Sequence, residues 1–216
     1  MPRLVLVDLD HTLVERRCPT PDWTAEFCTA QGLPPAAVAP VLLAPKPETF
    51  TGLAATYGLT RSGRSLWAEY VDGLADQVYC LPGAVEALGK LRAAGWTVVV
   101  LTNGYTAIQG AKLARTGLVD AVDAVCISEE AGARKPDPEI FRVAARRCGH
   151  DLAAGAWMVG NNPATDILGA QAAGVGTIWI SPSLPWRAEH PAPDHTVPDV
   201  PAAAALLLGP TLPTVG

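Results

Sequence analysis

Asp8 and Asp10 stand one residue apart just after a short apolar run, Leu4–Val7. Two carboxylates at that spacing can divide the work of phosphoester cleavage. One attacks phosphorus as a nucleophile. The other protonates the leaving alcohol and later activates water. A lone Asp-x-Asp also closes turns and caps helices, so other parts of the chain must decide. Thr102-Asn103-Gly104 ends a second apolar run. A hydroxyl and backbone N–H groups at a helix N-terminus there can hold phosphate oxygens, although an isolated Thr also caps helices. Lys135-Pro136 lies in a loop before a helical pattern. Its ammonium would offset the repulsion between carboxylates and phosphate; a single lysine is otherwise a solvated charge. Gly160-Asn161-Asn162-Pro163-Ala164-Thr165-Asp166 follows a further run. Asn161 and Asp166 offer oxygen ligands that could complete a Mg2+ site with Asp8, since Mg2+ takes hard oxygen donors. The plainer alternative is an Asn cap with an Asp in the first helical turn.

The elements that must position these residues are legible as five apolar runs, Leu4–Val7, Thr97–Leu101, Ala124–Ile127, Ala156–Val159 and Thr177–Ile180. They are continuous rather than alternating, as parallel strands covered on both faces are. Helical patterns separate the later runs, over Gly83–Ala94, Thr106–Thr116, Asp137–Cys148 and Pro163–Ala173, and a glycine follows each. Alternating strands and helices predict an α/β, Rossmann-like doubly wound parallel sheet, which binds ligands beyond the carboxyl ends of its strands. Residues 15–80 lack a buried-strand run. They read as an inserted helical domain with helices over Asp22–Gln31, Ala36–Leu43, Glu48–Tyr57 and Arg64–Tyr79. The catalytic core is then residues 1–14 and 81–216. The tail from Ser181 is Pro-rich, with a short helix at Ala202–Leu208 and a frayed end from Gly209.

Composition narrows the function class. The net charge is -5 and the pI about 5.3, without a Lys/Arg block, so neither a nucleic-acid polymer nor an anionic membrane is expected as partner. The N-terminus shows no secretion signal, and no apolar stretch is long enough to span a bilayer. Five scattered cysteines form no Cys-x-x-Cys. The expectation is reduced thiols in a cytoplasmic protein. His150, His190 and His195 lack metal-ligand spacing. His11 is expected to pack against the hinge of the insertion. Arg16 and Arg17 are expected as surface charge.

Taken together, Asp8-x-Asp10-x-Thr12, Thr102, Lys135-Pro136 and the turn ending in Asp166 resemble the haloacid dehalogenase superfamily over roughly Leu4 to Ile180. The resemblance implies strand order 5-4-1-2-3, which gathers the motifs at one edge. It implies a phosphatase in which Asp8 forms an aspartyl-phosphate. Asp10 would act as general acid and base while its backbone carbonyl binds Mg2+. Thr102, Asn103 and Lys135 would hold the phosphoryl group. Asp8, Asp10, Asn161 and Asp166 would form the metal site. Residues 15–80 resemble the family's mobile cap, which closes over the site and selects substrate.

One departure matters. The family's phosphatases usually carry Gly-Asp where this chain has Gly160-Asn161. The amide oxygen remains but its charge is lost, so weaker Mg2+ binding is expected. Asparagine in this region also occurs in the superfamily's dehalogenases, which lack the second aspartate of the first motif. The presence of Asp10 favours a phosphatase over a 2-haloacid dehalogenase. A phosphomutase and a non-catalytic phospholigand-binding protein remain as alternatives. The expected substrate is a small phosphorylated metabolite. Trp23, Phe50, Tyr57, Trp67 and Tyr70 would tilt the choice to a nucleotide if they stacked on a base, although rings at helical spacing more often build their own core. The oligomeric state stays open between monomer and homodimer.

Overall fold

A computed structural model describes residues 3–181, 186 and 190–209. Among the described residues there are eight strands, β1 (Arg3–Val7), β2 (Val14–Arg16), β3 (Val78–Cys80), β4 (Trp96–Thr102), β5 (Ala124–Ile127), β6 (Ala156–Gly160), β7 (Gly176–Ile180) and β8 (His195–Val197). Six form one sheet in the order β5-β4-β1-β6-β7-β8. Every pair in it is parallel. Counting the apolar runs one to five, the order is 5-4-1-2-3 read from the far edge. The sixth strand, β8, was not expected. It is three half-exposed or exposed residues inside the Pro-rich tail. Asp194 seats it, its Oδ2 accepting from Thr177 N and Thr177 Oγ1, each at 2.8 Å.

Side chains alternate across the pleat. Val5, Val7, Val98 and Val100 face one layer, which includes Leu88, Leu113 and Leu207 of three helices. Leu4, Leu6, Val99 and Leu101 face the other, with Phe141 and Ala144. Both faces are covered, which is why the strand sequences show no polar alternation. β1 is central, paired with β4 and β6. Three strands therefore deliver their carboxyl ends side by side.

The chain divides into two compact units: residues up to Glu15 with those from Cys80 onward, and Arg16–Tyr79. It leaves and re-enters the first unit through β2 and β3, which form a separate two-stranded sheet. The Arg16–Tyr79 unit is helical. The helix expected over Ala36–Leu43 is broken instead into Pro35–Val38 and a 3₁₀ turn at Val41–Leu43. Pro40 stands between them and lacks the N–H that a continuous helix needs. The last helix runs Gly63–Asp76, shorter than the expected Arg64–Tyr79, because Val78–Cys80 is strand.

Trp23, Phe27, Phe50 and Trp67 surround Tyr70, with ring centroids 5.0, 5.4, 5.1 and 6.0 Å away. Tyr70 Oη donates to Leu42 O at 2.7 Å, and burial pushes its pKa up to about 12. Four of the five rings weighed for base stacking thus build this unit's own core, the commoner outcome for rings at helical spacing. Tyr57 is the exposed one.

The tail helix forms at Val200–Leu208; residues 210–216 of the expected frayed end lie outside the described residues. All five cysteines are unpaired, with Cys28 and Cys126 buried. Among the described residues, no helix is long and apolar enough to cross a membrane.

Candidate active site

β1 ends at Val7, and Asp8 continues it, its N–H donating to Val159 O of β6 at 2.9 Å. The chain then turns sharply. Leu13 N donates to Leu9 O at 2.9 Å, and His11 takes a left-handed φ of 59°. This turn presents Asp8 and Asp10 while burying Leu9 and Leu13. His11 was expected to pack against the hinge of the insertion, where Glu15 precedes the helical unit. Its side chain is exposed and meets Glu15, Nδ1 to Oε2, at 3.0 Å, because the left-handed residue points out of the turn.

Lys135 arrives from the loop after β5 and is only 2% exposed. Its Nζ reaches Asp8 Oδ1 at 2.6 Å, Asp166 Oδ1 at 2.7 Å and Leu101 O at 2.8 Å. Burial alone would pull the lysine's pKa down. The carboxylates of Asp8 and Asp166 outweigh it and hold the ammonium charged. Two carboxylates share this one cation, and the excess negative charge appears on Asp8. Burial foremost, with repulsion from Asp166 and Asp10, raises its pKa from 3.8 to about 6 despite Lys135.

Asp166 sits in a π-helical turn, Pro163–Ile167, where an ordinary helix start was expected. Asn162 caps it, accepting from Ala164 N and Thr165 N at 3.0 and 3.1 Å. The turn points Asp166 back at its own beginning, where Oδ2 accepts from Asn162 N at 2.9 Å. Gly160 is required: a Cβ there would lie 2.4 Å from Asp166 Oδ2. With Oδ1 on Lys135 and Oδ2 on the backbone, Asp166, expected as a direct or water-mediated metal ligand, is the ion-pair partner of Lys135.

Asn103 was expected to help hold phosphate, in a turn whose backbone N–H groups also qualify. Its side chain clamps the Lys135 backbone both ways, Nδ2 donating to Lys135 O and Oδ1 accepting from Lys135 N, each at 2.9 Å. The side-chain amide is thereby committed to positioning the lysine loop.

Asn161 stands beside Asp8. The Thr12 hydroxyl lies 3.4 Å from Asp8 Oδ2 and 3.3 Å from Asn161 Oδ1. Trp179 Nε1 donates to Asn161 O at 2.9 Å and fixes the turn. Among the described residues, no group of three or more His, Cys, Asp or Glu side chains is arranged to hold a metal. A metal here would need the amide oxygen of Asn161 and backbone oxygen in addition to Asp8. Those donors are hard oxygens, and the surplus negative charge on Asp8 is what a divalent cation relieves, so the residues fit Mg2+.

Two residues escaped the sequence reading. Lys112 Nζ reaches both oxygens of Asp10, at 2.7 and 2.8 Å. Gln109 Nε2 donates to Asp10 Oδ2 at 2.9 Å and to Thr102 Oγ1 at 2.6 Å. Both are 2% exposed. The signal was present: Gln109, Lys112, Leu113 and Thr116 occupy i, i+3, i+4 and i+7 of one helix, so two long polar side chains lie on its inward stripe. Through these contacts Asp8, Asp10, Thr102, Lys135, Asn161 and Asp166 converge at one edge of the sheet.

Comparison with known proteins agrees with this arrangement. The chain is 37% identical over 128 residues to pyrimidine 5'-nucleotidase YjjG of Escherichia coli K12, 59% of this chain and 56% of that protein. The chain spans about half the length of the curated relatives it matches. Its fold superposes on the hydrolase YfnB of Bacillus subtilis, in a structure bound to magnesium, with TM-score 0.68, 21% identity and coverage of 96% and 99%. It also superposes on 2-haloacid dehalogenase from Pseudomonas syringae with TM-score 0.70, 27% identity and coverage of 96% and 98%. The family model for haloacid dehalogenase-like hydrolases matches residues 2–174. With that span matched and the sheet order and convergent carboxylates in place, the chain belongs to the haloacid dehalogenase-like hydrolases.

Proposed function

We propose that this chain is a Mg2+-dependent phosphatase that hydrolyses small phosphomonoesters through an aspartyl-phosphate on Asp8. The observation that carries the reading is the buried Asp8 carboxylate, held 2.6 Å from Lys135, with a second carboxylate two residues on. In the first step an Asp8 oxygen forms a bond to phosphorus, the ester bond breaks and Asp10 gives its proton to the leaving oxygen. In the second step Asp10 takes a proton from water, the water oxygen attacks phosphorus, and the bond to Asp8 breaks to release phosphate. Lys135 and the Thr102 hydroxyl hold phosphoryl oxygens. Asp8, the Asp10 carbonyl and Asn161 would hold Mg2+. When bound, the ion would shield the attacking carboxylate from the phosphate oxygens.

The dehalogenase likeness does not displace this reading, because a departing halide needs no proton donor and Asp10 would lose its role as acid. The helical unit would set substrate choice. Its rings form its own core, so they no longer argue for a nucleotide. That preference now rests on the likeness to a pyrimidine 5'-nucleotidase.

The test is a panel of phosphorylated metabolites, including pyrimidine nucleotides, with Mg2+ and with the ion chelated. Hydrolysis should require the ion. Replacing the neutral Asn161 by a charged ligand, Asn161→Asp, should lower the Mg2+ concentration for half-maximal activity roughly tenfold. A variant that needs as much metal as the parent contradicts Asn161 as a ligand. Chloride release from a 2-haloacid without phosphatase activity would reverse the choice of reaction.

A further inference from the structure

We propose that Gln109 and Lys112 form a positioning bracket that fixes the Asp10 carboxylate for proton transfer to the leaving group. The inference rests on the acid–base reading of Asp10. Three observations carry it. Lys112 addresses both oxygens of Asp10, at 2.7 and 2.8 Å. Gln109 adds a third donor to Oδ2 at 2.9 Å and at the same time holds the Thr102 hydroxyl at 2.6 Å. The opposing turn is cut back to admit it: a Cβ on Gly104 would lie 2.9 Å from Gln109 Cγ.

An aspartate on a surface turn rotates about two side-chain bonds. Donors on both of its oxygens remove that freedom. Because Gln109 also binds Thr102, the carboxylate is registered against a residue read as holding phosphate. Orientation of this kind is worth rate, since a misplacement of about 1 Å can cost roughly 100-fold. A lysine buried on the inward stripe of a helix is costly unless it is paired. Here its partner Asp10 is the more exposed member, with 28% of its side chain accessible. The pair therefore spends a buried cation on a group at the edge of the site. Lys112 gives up no proton in either step; it acts through Asp10.

The experiment measures kcat/KM for substituted phenyl phosphates whose leaving groups range in acidity, from p-nitrophenyl to phenyl phosphate. It uses the full chain with Mg2+. The variants are Lys112→Met, Gln109→Met, Lys112→Arg and Asp10→Asn. Proton donation matters most for the poorest leaving group. Lys112→Met and Gln109→Met should lose roughly 100-fold on phenyl phosphate and under about 10-fold on p-nitrophenyl phosphate. Their dependence on the leaving group should approach that of Asp10→Asn, and Lys112→Arg should recover part of the loss.

Should Lys112→Met fail to fold, Gln109→Met carries the test, because it leaves the Lys112–Asp10 pair in place. A uniform loss across the series, or the parent's dependence, overturns the bracket. If Asp10→Asn itself shows the parent's dependence, the acid–base reading falls and the bracket with it. If Asp10→Asn steepens the series and the bracket variants do not, only the bracket falls.

Discussion

Asp8→Asn is expected to lower kcat at least roughly 10⁴-fold and, in metal-free protein at pH 7, to make the fold more stable. The two effects have one origin. Burial foremost, with repulsion from Asp166 and Asp10, raises the Asp8 pKa from 3.8 to about 6, although Lys135, shared with Asp166, opposes it. The folded state therefore holds the Asp8 proton more tightly than the unfolded chain does. The ionised carboxylate at pH 7 costs on the order of 3 kcal/mol. Asparagine keeps the shape and removes that cost, so a gain of about 1–3 kcal/mol is expected. As pH falls through about 6 towards 4, the native Asp8 takes up its proton and the advantage of the variant should shrink. Chemical denaturation of both proteins with metal chelated, from pH 7.5 to 4.5, reads this directly. Substantial phosphatase activity in well-folded Asp8→Asn would show that Asp8 is not the nucleophile. A variant less stable than the parent at pH 7 would show that Lys135 outweighs the crowding of carboxylates.

The parts of this site that could be read from the sequence are those set by strand ends. Asp8, Thr102 and Asn161 each follow an apolar run, and parallel strands side by side must bring such positions together. The distinction between gripping a ligand and gripping the protein was not legible. Asn103 and Asp166 are the right residue types at the right edge, yet their side chains hold Lys135 and its loop. That outcome depends on the path of a loop about thirty residues away, which no local pattern encodes. Lys112 was invisible for a related reason. In a helical stripe a lysine reads as a boundary residue, and its burial depends on Asp10, some hundred positions earlier, being within reach. The strand β8 was missed because three half-exposed or exposed residues in a Pro-rich tail have no period of their own; pairing with β7 and the Asp194 contacts create it. Pro40 was visible as a helix breaker, and the expected helix over Ala36–Leu43 underweighted it.

Lys135→Met separates charge compensation from catalysis, and it is the second large effect. The ammonium sits between Asp8 and Asp166 at 2.6 and 2.7 Å. Removing it leaves two buried carboxylates facing each other without a cation. Loss of one partner of a buried pair costs about 3–5 kcal/mol, and activity should fall roughly 10³-fold as a cation on the transferring group is lost. Either loss alone has a trivial explanation, since an unstable enzyme is also a poor one. The double variant Lys135→Met/Asp166→Asn removes that ambiguity. It deletes one of the two stranded charges, so unfolding measurements should show most of the lost stability restored, while kcat/KM stays at the level of the single variant. A double variant that regains activity with its stability would mean that Lys135 serves only to neutralise Asp166. In that case the phosphoryl group would be held by Thr102 and the backbone around it, and Lys135 would belong to the scaffold that shapes the Asp8 pocket.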